Sequence, residues 1–490
     1  MSLEPRSRKA SLEISPEEFR RLGHRLVDQL AEFLTTLPGR PITPGEGPEA
    51  VRKLLGGDDP LPQQGADPQT LLDESTKLLV EHSLFNGHPK FLGYITSSAA
   101  PIGALGDLLA AAVNPNVGGW PLSPIATEIE RQTIRWIAEM IGYPVTCGGI
   151  LVSGGNMANF LGFLAGRKAK APWDVRAKGM CHERGLRVYT SQETHTWIDK
   201  AADMFGLGTD AIRWIPTDNR QRMNARALRE QIESDKREGL LPLMVIGTAG
   251  SVSTGAIDPL PELAAIAQEH DLWFHVDGAY GGFAAMLPDA SPDLKGLSLA
   301  DSVAVDPHKW LYAPLEAGCA LVRDSQALLD AFSYRPPYYH LEDEALNYFE
   351  YGMQNSRGFR ALKVWLAIRQ IGRRGYEQLI SEDIRLTQEL FKSVQAQPEL
   401  EAYTCDLSIA TFRYVPPDAK HDEEYLNKLN TEILDRLQHG GEVFVSNAVI
   451  GGKYLLRACI VNFRTSIEDV RAIPEIIVRV GRKTHQELLK

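Results

Sequence analysis

Cysteines are few and none are neighbours: Cys147, Cys181, Cys319, Cys405 and Cys459 are scattered along the chain with no CxxC pair. That spacing speaks against a disulfide framework and a cysteine zinc site, and fits a reducing cytoplasm. Long apolar runs are missing too, since no stretch approaches the ~20 residues that a bilayer span needs. Cations are outnumbered, 52 Lys and Arg against 63 Asp and Glu, for a net charge of -11. With no long basic run either, nucleic acid is not an expected partner, because phosphate backbones are held by clustered Lys and Arg. The first fourteen residues, MSLEPRSRKASLEI, lack the apolar stretch of a secretory signal and are expected to be a frayed start. There is no internal repeat, no GxGxxG and no GxxxxGK[ST], and His195, His275 and His308 show no metal-binding spacing, so no metal is expected.

What remains is a chain of 490 residues, 43% hydrophobic and 23% charged, the composition of an ordinary globular protein with a large core. Ser15-Pro16-Glu17-Glu18 opens a helix, Ser15 as cap and Glu18 completing a capping box. Phe19, Leu22, Leu26, Val27, Leu30 and Leu34 then recur at helical spacing, an apolar stripe that must bury against something outside that helix. Residues 38–70, rich in Gly and Pro, read as an irregular connection. From about 120 to 330, β-branched runs (GGILVSG, LRVYTS, PLMVIGTAGS, LWFHVDGAYGG, DSVAVDPHKW, GCALVR) alternate with helical patterns. That alternation predicts an α/β fold with a mostly parallel sheet covered on both faces, binding its ligand beyond the carboxyl ends of the strands. Beyond about 376, longer helical stretches with LSIATFRYV and YLLRACIVNF suggest a smaller α+β domain. The predicted division is 1–85 (helical), 86–375 (large α/β) and 376–490 (small α+β).

Four segments carry chemistry. Leu151 to Asn159 is a strand ending in Gly154-Gly155-Asn156 before a helical pattern, a turn that exposes backbone N–H groups at a helix N-terminus and suits phosphate; the alternative is a simple tight turn. Trp273 to Gly282 delivers Asp277 at a strand end, where a buried carboxylate needs a cationic or hydrogen-bonding partner such as a pyridinium nitrogen, or else caps a turn. Ala279 is small enough for a flat ring to lie against it. Asp306-Pro307-His308-Lys309-Trp310 places a lysine between an imidazole and an indole. In a shielded cationic pocket such an amine becomes nucleophilic toward an aldehyde, although the commoner fate of a lysine is to snorkel. His195, at the end of another strand, can stack on a ring or serve the structure.

These elements, with HPKFLGY and SPIATEIE before them, resemble the group II pyridoxal phosphate (PLP) dependent decarboxylases, most of all the aromatic L-amino acid decarboxylases, over roughly residues 15–480. The resemblance implies fold type I, like aspartate aminotransferase, and a homodimer with active sites at the subunit boundary and the N-terminal helices packed on the partner. It implies that Lys309 carries PLP as an imine, that Asp277 pairs with the pyridine nitrogen and that His195 stacks on the ring, with Gly155, Asn156, Ser302 and His308 around the phosphate. Asn355 and Ser356 would reach the phosphate from the other subunit. A lid tyrosine that returns a proton to Cα falls on Tyr338, with Tyr339 as fallback; relatives that release an aldehyde carry phenylalanine there.

The substrate wall departs from the aromatic-specific pattern. Tyr94 matches, but Ile95 stands where phenylalanine is usual, followed by Thr96 in place of a proline. In the partner-subunit wall, Asn116 to Trp120, Gly118 replaces a phenylalanine, which implies a wider pocket. Trp197 stands where a small hydroxyl residue is common, and Ser356 hints at tyrosine, DOPA or phenylalanine rather than indole. The expected reaction is decarboxylation of an L-amino acid, aromatic by this resemblance, to its amine. The alternatives are decarboxylation of an acidic amino acid such as glutamate, aldehyde synthesis, and PLP binding without turnover.

Overall fold

The computed structural model describes residues 10, 12–180, 185–335, 345–417 and 422–490. Within them the strands are β1 (Phe91–Leu92), β2 (Gly148–Val152), β3 (Leu186–Ser191), β4 (Ile212–Ile215), β5 (Leu241–Thr248), β6 (Trp273–Asp277), β7 (Ser302–Val305), β8 (Gly318–Val322), β9 (Leu400–Asp406), β10 (Ile409–Tyr414), β11 (Phe444–Ile450) and β12 (Lys453–Cys459). The runs expected to be strands between 120 and 330 form one seven-stranded sheet in the order β2-β8-β7-β6-β5-β3-β4. Neighbours from β4 through β7 pair in parallel, and β8 alone runs against the rest, antiparallel to both β7 and β2. Near-continuous apolar strands such as β2 and β8 are buried at every residue because helices cover both faces. One face packs into the largest core, which includes Val245, Phe274 and Val303, and the other into a second core with Val188, Met244 and Ile246.

The second sheet, β1-β11-β12-β10-β9, is antiparallel apart from its β1–β11 edge, and the helices Glu423–His439 and Ile467–Leu488 bury Leu429, Ile433 and Ile473 in its core. Here the expected division is corrected in one respect. Phe91 and Leu92, assigned by sequence to the large domain, pair with Phe444 and Val445 and complete the small sheet. A two-residue strand carries too little periodicity to announce its partner. The expected boundary at 376 falls inside the helix Ala361–Ala396, which joins the two parts and breaks its helical geometry at Gly372 (φ 66°).

The first helix, Pro16–Thr36, begins as expected, with the Ser15 hydroxyl accepting from Glu18 N at 3.1 Å. Glu18 does not return to the cap: its carboxylate binds Arg21 instead. Of the apolar stripe only Leu22 is buried, while Phe19, Val27, Leu30 and Leu34 stay exposed. The connection 38–70 is less irregular than expected, since it contains the short helix Pro48–Leu54.

Candidate active site

Five strands of the large sheet end on one cavity of about 360 Å³. β2 runs into Ser153-Gly154-Gly155-Asn156, β5 ends at Thr248, β6 at Asp277 and Ala279, and β7 at Asp306, His308 and Lys309, with His195 following β3. Parallel strands bring their carboxyl ends to one side, so residues far apart in sequence meet there without long loops.

The glycine turn shows why it reads as it does. Gly154 takes φ +107°, a conformation side chains disfavour, and begins the helix Gly155–Lys170, whose N-terminus opens on the cavity. A Cβ on Gly155 would stand 2.6 Å from Asp306 Oδ2 and 3.2 Å from Ala279 Cβ. Only glycine lets this helix end approach the β6 and β7 turns so closely.

The lysine turn is braced from behind. Lys309 N donates to Asp306 O at 2.9 Å, Ser97 Oγ to the His308 carbonyl at 2.8 Å, and His308 Nδ1 lies 2.6 Å from the Ala317 carbonyl, which can only accept. Trp310 Nε1 and Tyr312 OH both donate to Asp383 Oδ2, at 3.1 and 2.7 Å. Burial raises the Asp383 pKa to about 7 against those bonds. Lys309 Nζ lies 3.2 Å from Asp306 Oδ2. The amine's immediate partner is thus a carboxylate rather than a cation. Asp306 was within reach of sequence reasoning, three residues before the lysine on the same tight turn.

Asp277 accepts from Ala279 N at 3.1 Å through Oδ1 and from Trp197 Nε1 at 2.8 Å through Oδ2. His195 opens on the cavity, and its Nδ1 accepts from Trp197 N at 3.3 Å, which leaves the neutral ring's proton on Nε2. Desolvation lowers the His195 pKa, with Asp277 opposing and Lys309 adding to the fall. The neutral imidazole therefore prevails at neutral pH.

Ser302 is not at this site. It begins β7, at the opposite end from Asp306, and is absent from the cavity lining. Its hydroxyl is engaged by Trp273 Nε1 and His275 Nδ1, both at 2.8 Å, while His275 Nε2 meets Asn159 Oδ1. The expectation that Ser302 lies near a phosphate is corrected by that one strand length. Tyr94, Ile95, Thr96, Gly118, Trp120, Asn355 and Ser356 also stand outside the lining of this chain's cavity. Gly118 has a steric reason for its missing side chain, because a Cβ there would overlap the Asn355 carbonyl. Tyr338 and Tyr339 lie outside the described residues. Sequence reasoning missed Thr248, Asp306 and Glu316 as lining residues; Thr248 had a signal, a polar residue closing an apolar run at a parallel strand's carboxyl end.

Residues 48–415 match the family model described as the pyridoxal-dependent decarboxylase conserved domain. The chain belongs to the pyridoxal-dependent decarboxylases. This decarboxylase is 33% identical over 469 residues to an aromatic-L-amino-acid decarboxylase of Bacillus atrophaeus, covering 94% of this chain and 95% of that one. It is 29% identical over 472 residues to a phenylacetaldehyde synthase of Arabidopsis thaliana, 94% of each being covered. Among solved structures it is similar to Oryza sativa TDC with PLP and tryptamine, with a TM-score of 0.89 and 26% identity over 98% of this chain and 99% of that one. The decarboxylase is thus a PLP-dependent carboxy-lyase of fold type I.

The residues present suit that cofactor. Thr248 Oγ1 and Asp306 Oδ1 are buried without a partner in residues that line the cavity, and buried polar atoms of this kind call for a polar occupant. The helix N-terminus at Gly155 offers free N–H groups to a phosphate, Asp277 offers a fixed carboxylate to a ring nitrogen, and Lys309 offers an amine to an aldehyde. Among the described residues no cluster of His, Cys, Asp and Glu could hold a metal ion, and no helix is long and apolar enough to cross a membrane.

Proposed function

We propose that this decarboxylase converts an aromatic L-amino acid to its amine and carbon dioxide, in the cytoplasm, as a homodimer. The observation that carries this reading is the convergence of the Lys309 amine, the Asp277 carboxylate and the His195 imidazole on one cavity. Lys309 would hold the cofactor covalently, Asp277 would face its ring nitrogen, His195 would lie against its ring opposite Ala279, and Gly155, Asn156 and His308 would surround its phosphate. When bound, PLP supplies an electron sink for the pair left on Cα as carbon dioxide departs. Asp277, kept in place by two neutral donors, holds negative charge where that sink is strengthened. His195, neutral and with its proton on Nε2, presents a donor to the cavity. Tyr338 is the proton donor to Cα that completes an amine.

The charge of the lining supports a neutral side chain in the substrate. Asp277, Asp306 and Glu316 line the cavity with Lys309 as the lysine, and Glu316 is paired with Arg360 at 2.6 Å. An acidic substrate side chain would meet more carboxylate than cation there. The exposed stripe of the first helix, together with exposed Leu105, Leu108 and Leu109 on the helix Pro101–Val113, supports a second copy as the missing cover. Asn355 and Ser356, exposed and outside the lining of this chain's cavity, suit residues that serve the partner's site.

Mass spectrometry of the products from an equimolar mixture of the twenty amino acids plus DOPA tests reaction and substrate together. Aromatic amines are the expected products, and a product set dominated by the decarboxylated acidic amino acids would overturn the substrate reading. Lys309→Ala is expected to abolish turnover, and retained activity in it would refute the assignment of the amine. Tyr338→Phe is expected to shift the product from amine toward aldehyde with peroxide. If it leaves both yields unchanged, the proton donor is elsewhere.

A further inference from the structure

Trp197 is the residue at which this sequence parts from the small hydroxyl common in the resembling family, and the structure shows what the indole does. Its side chain is fully buried, 0% exposed, at the start of the helix Trp197–Met204 that follows His195. Its indole N–H reaches Asp277 Oδ2 at 2.8 Å, across from β3 to the end of β6. Its backbone N–H reaches His195 Nδ1 at 3.3 Å. One residue therefore touches both groups that flank the cavity, through two different atoms. The ring packs edge-on to His275, with centroids 5.6 Å apart and planes at 79°, so the buried indole has a packing partner beside the carboxylate it binds.

A carboxylate has about four lone-pair sites. In Asp277 the Ala279 N–H takes one on Oδ1 and the Trp197 N–H one on Oδ2, and both donors are neutral. Neutral donors stabilise the ionised form and fix its rotation without cancelling its charge. The remaining lone pairs stay available to a cation in the cavity. Without the indole, Oδ2 would be free to turn toward Lys309 or His195, which share the cavity.

We propose that Trp197 is a positioning residue: its indole N–H holds the Asp277 carboxylate in the orientation that meets the ring nitrogen of PLP. This rests on the reading of Asp277 given above. The test uses the full-length protein stripped of cofactor and titrated either with PLP or with 1-deazapyridoxal phosphate, in which carbon replaces the ring nitrogen. Binding is followed by protein fluorescence. The ratio of the two dissociation constants reports the contact between carboxylate and ring nitrogen, and any loss of folded protein cancels within one variant.

In Trp197→Phe, which keeps an aromatic ring and removes the donor, the preference for PLP over the analogue is expected to fall roughly tenfold, or about 1.4 kcal/mol. Affinity for the analogue itself is expected to change little. In an Asp277→Asn background the same substitution should add nothing further. Trp197→Met, donor-free and flexible enough to refill the space, serves if the phenylalanine variant does not fold. Equal weakening of both ligands, with the preference intact, would show a merely structural tryptophan and overturn the proposal. If the unaltered protein does not prefer PLP to its analogue, the reading of Asp277 itself fails, and that result is separate from any effect at Trp197.

Discussion

Ser302→Ala separates a phosphate ligand from a structural hydroxyl. In the structure Ser302 is fully buried, and its Oγ lies 2.8 Å from both Trp273 Nε1 and His275 Nδ1. Removing the oxygen leaves an indole N–H and an imidazole nitrogen without partners. The helix Gly155–Lys170 packs tightly over them, since a Cβ on Gly162 would stand 2.6 Å from His275 Nδ1 and 3.0 Å from Ser302 Oγ. The space vacated by one oxygen is smaller than the ~30 Å³ share of a water molecule, so no solvent replaces it. Each orphaned group costs about 1–3 kcal/mol, so the pair amounts to about 2–6 kcal/mol, less whatever His275 recovers by relaxation. The assay is differential scanning calorimetry of the cofactor-free protein alongside a PLP titration. A lower Tm with PLP affinity within about twofold is expected. An unchanged Tm with PLP bound tenfold or more weakly would refute this placement of Ser302 and restore it to the phosphate.

His275 links the same cluster to pH. Burial depresses its pKa to about 4, with Asp277 opposing, so the folded state binds this proton less readily than the unfolded chain. The contribution is complete above the unfolded value near 6.5 and is lost as pH falls through about 4, some ~3 kcal/mol in all. Asp383, raised to about 7, acts in the opposite sense, its contribution being lost as pH rises from ~4 through about 7. His275→Gln should therefore remove the acid-side loss and leave stability falling as pH rises between 4 and 6.5. An unchanged pH profile of Tm in that variant would show that His275 is not the titrating group. Gly118→Ala should cost about 1–3 kcal/mol or more through the overlap with the Asn355 carbonyl. A variant of unchanged Tm whose only effect is on substrate choice would show instead that this glycine simply widens the pocket.

Much of the chemistry was legible along the chain because each piece is local. The glycine turn, the Asp277 strand end and the Lys309 turn each announce themselves by an apolar run that stops at one polar residue, and β2, β6 and β7 deliver them as expected. Ser302 misled for a related reason: it lies seven residues before Lys309 in sequence, but a four-residue strand separates it from the β7 turn. Trp197 registered only as a departure, since nothing in THTW says that its indole will meet a carboxylate 80 residues away.

The sequence by itself determined which residues are able to react and where each strand would end, since apolar periodicity, turn glycines and strand-end polar groups act over a few residues. Tertiary structure alone decided who meets whom. The parallel pairing of β5, β6 and β7 aligned Thr248, Asp277 and Asp306 at one rim, close packing brought the glycine helix end at Gly155 against Asp306 and Ala279, and β1 was recruited by β11, more than 350 residues downstream. Such contacts depend on packing between distant segments, whose partners are fixed by shape and burial across the whole fold rather than by any local pattern.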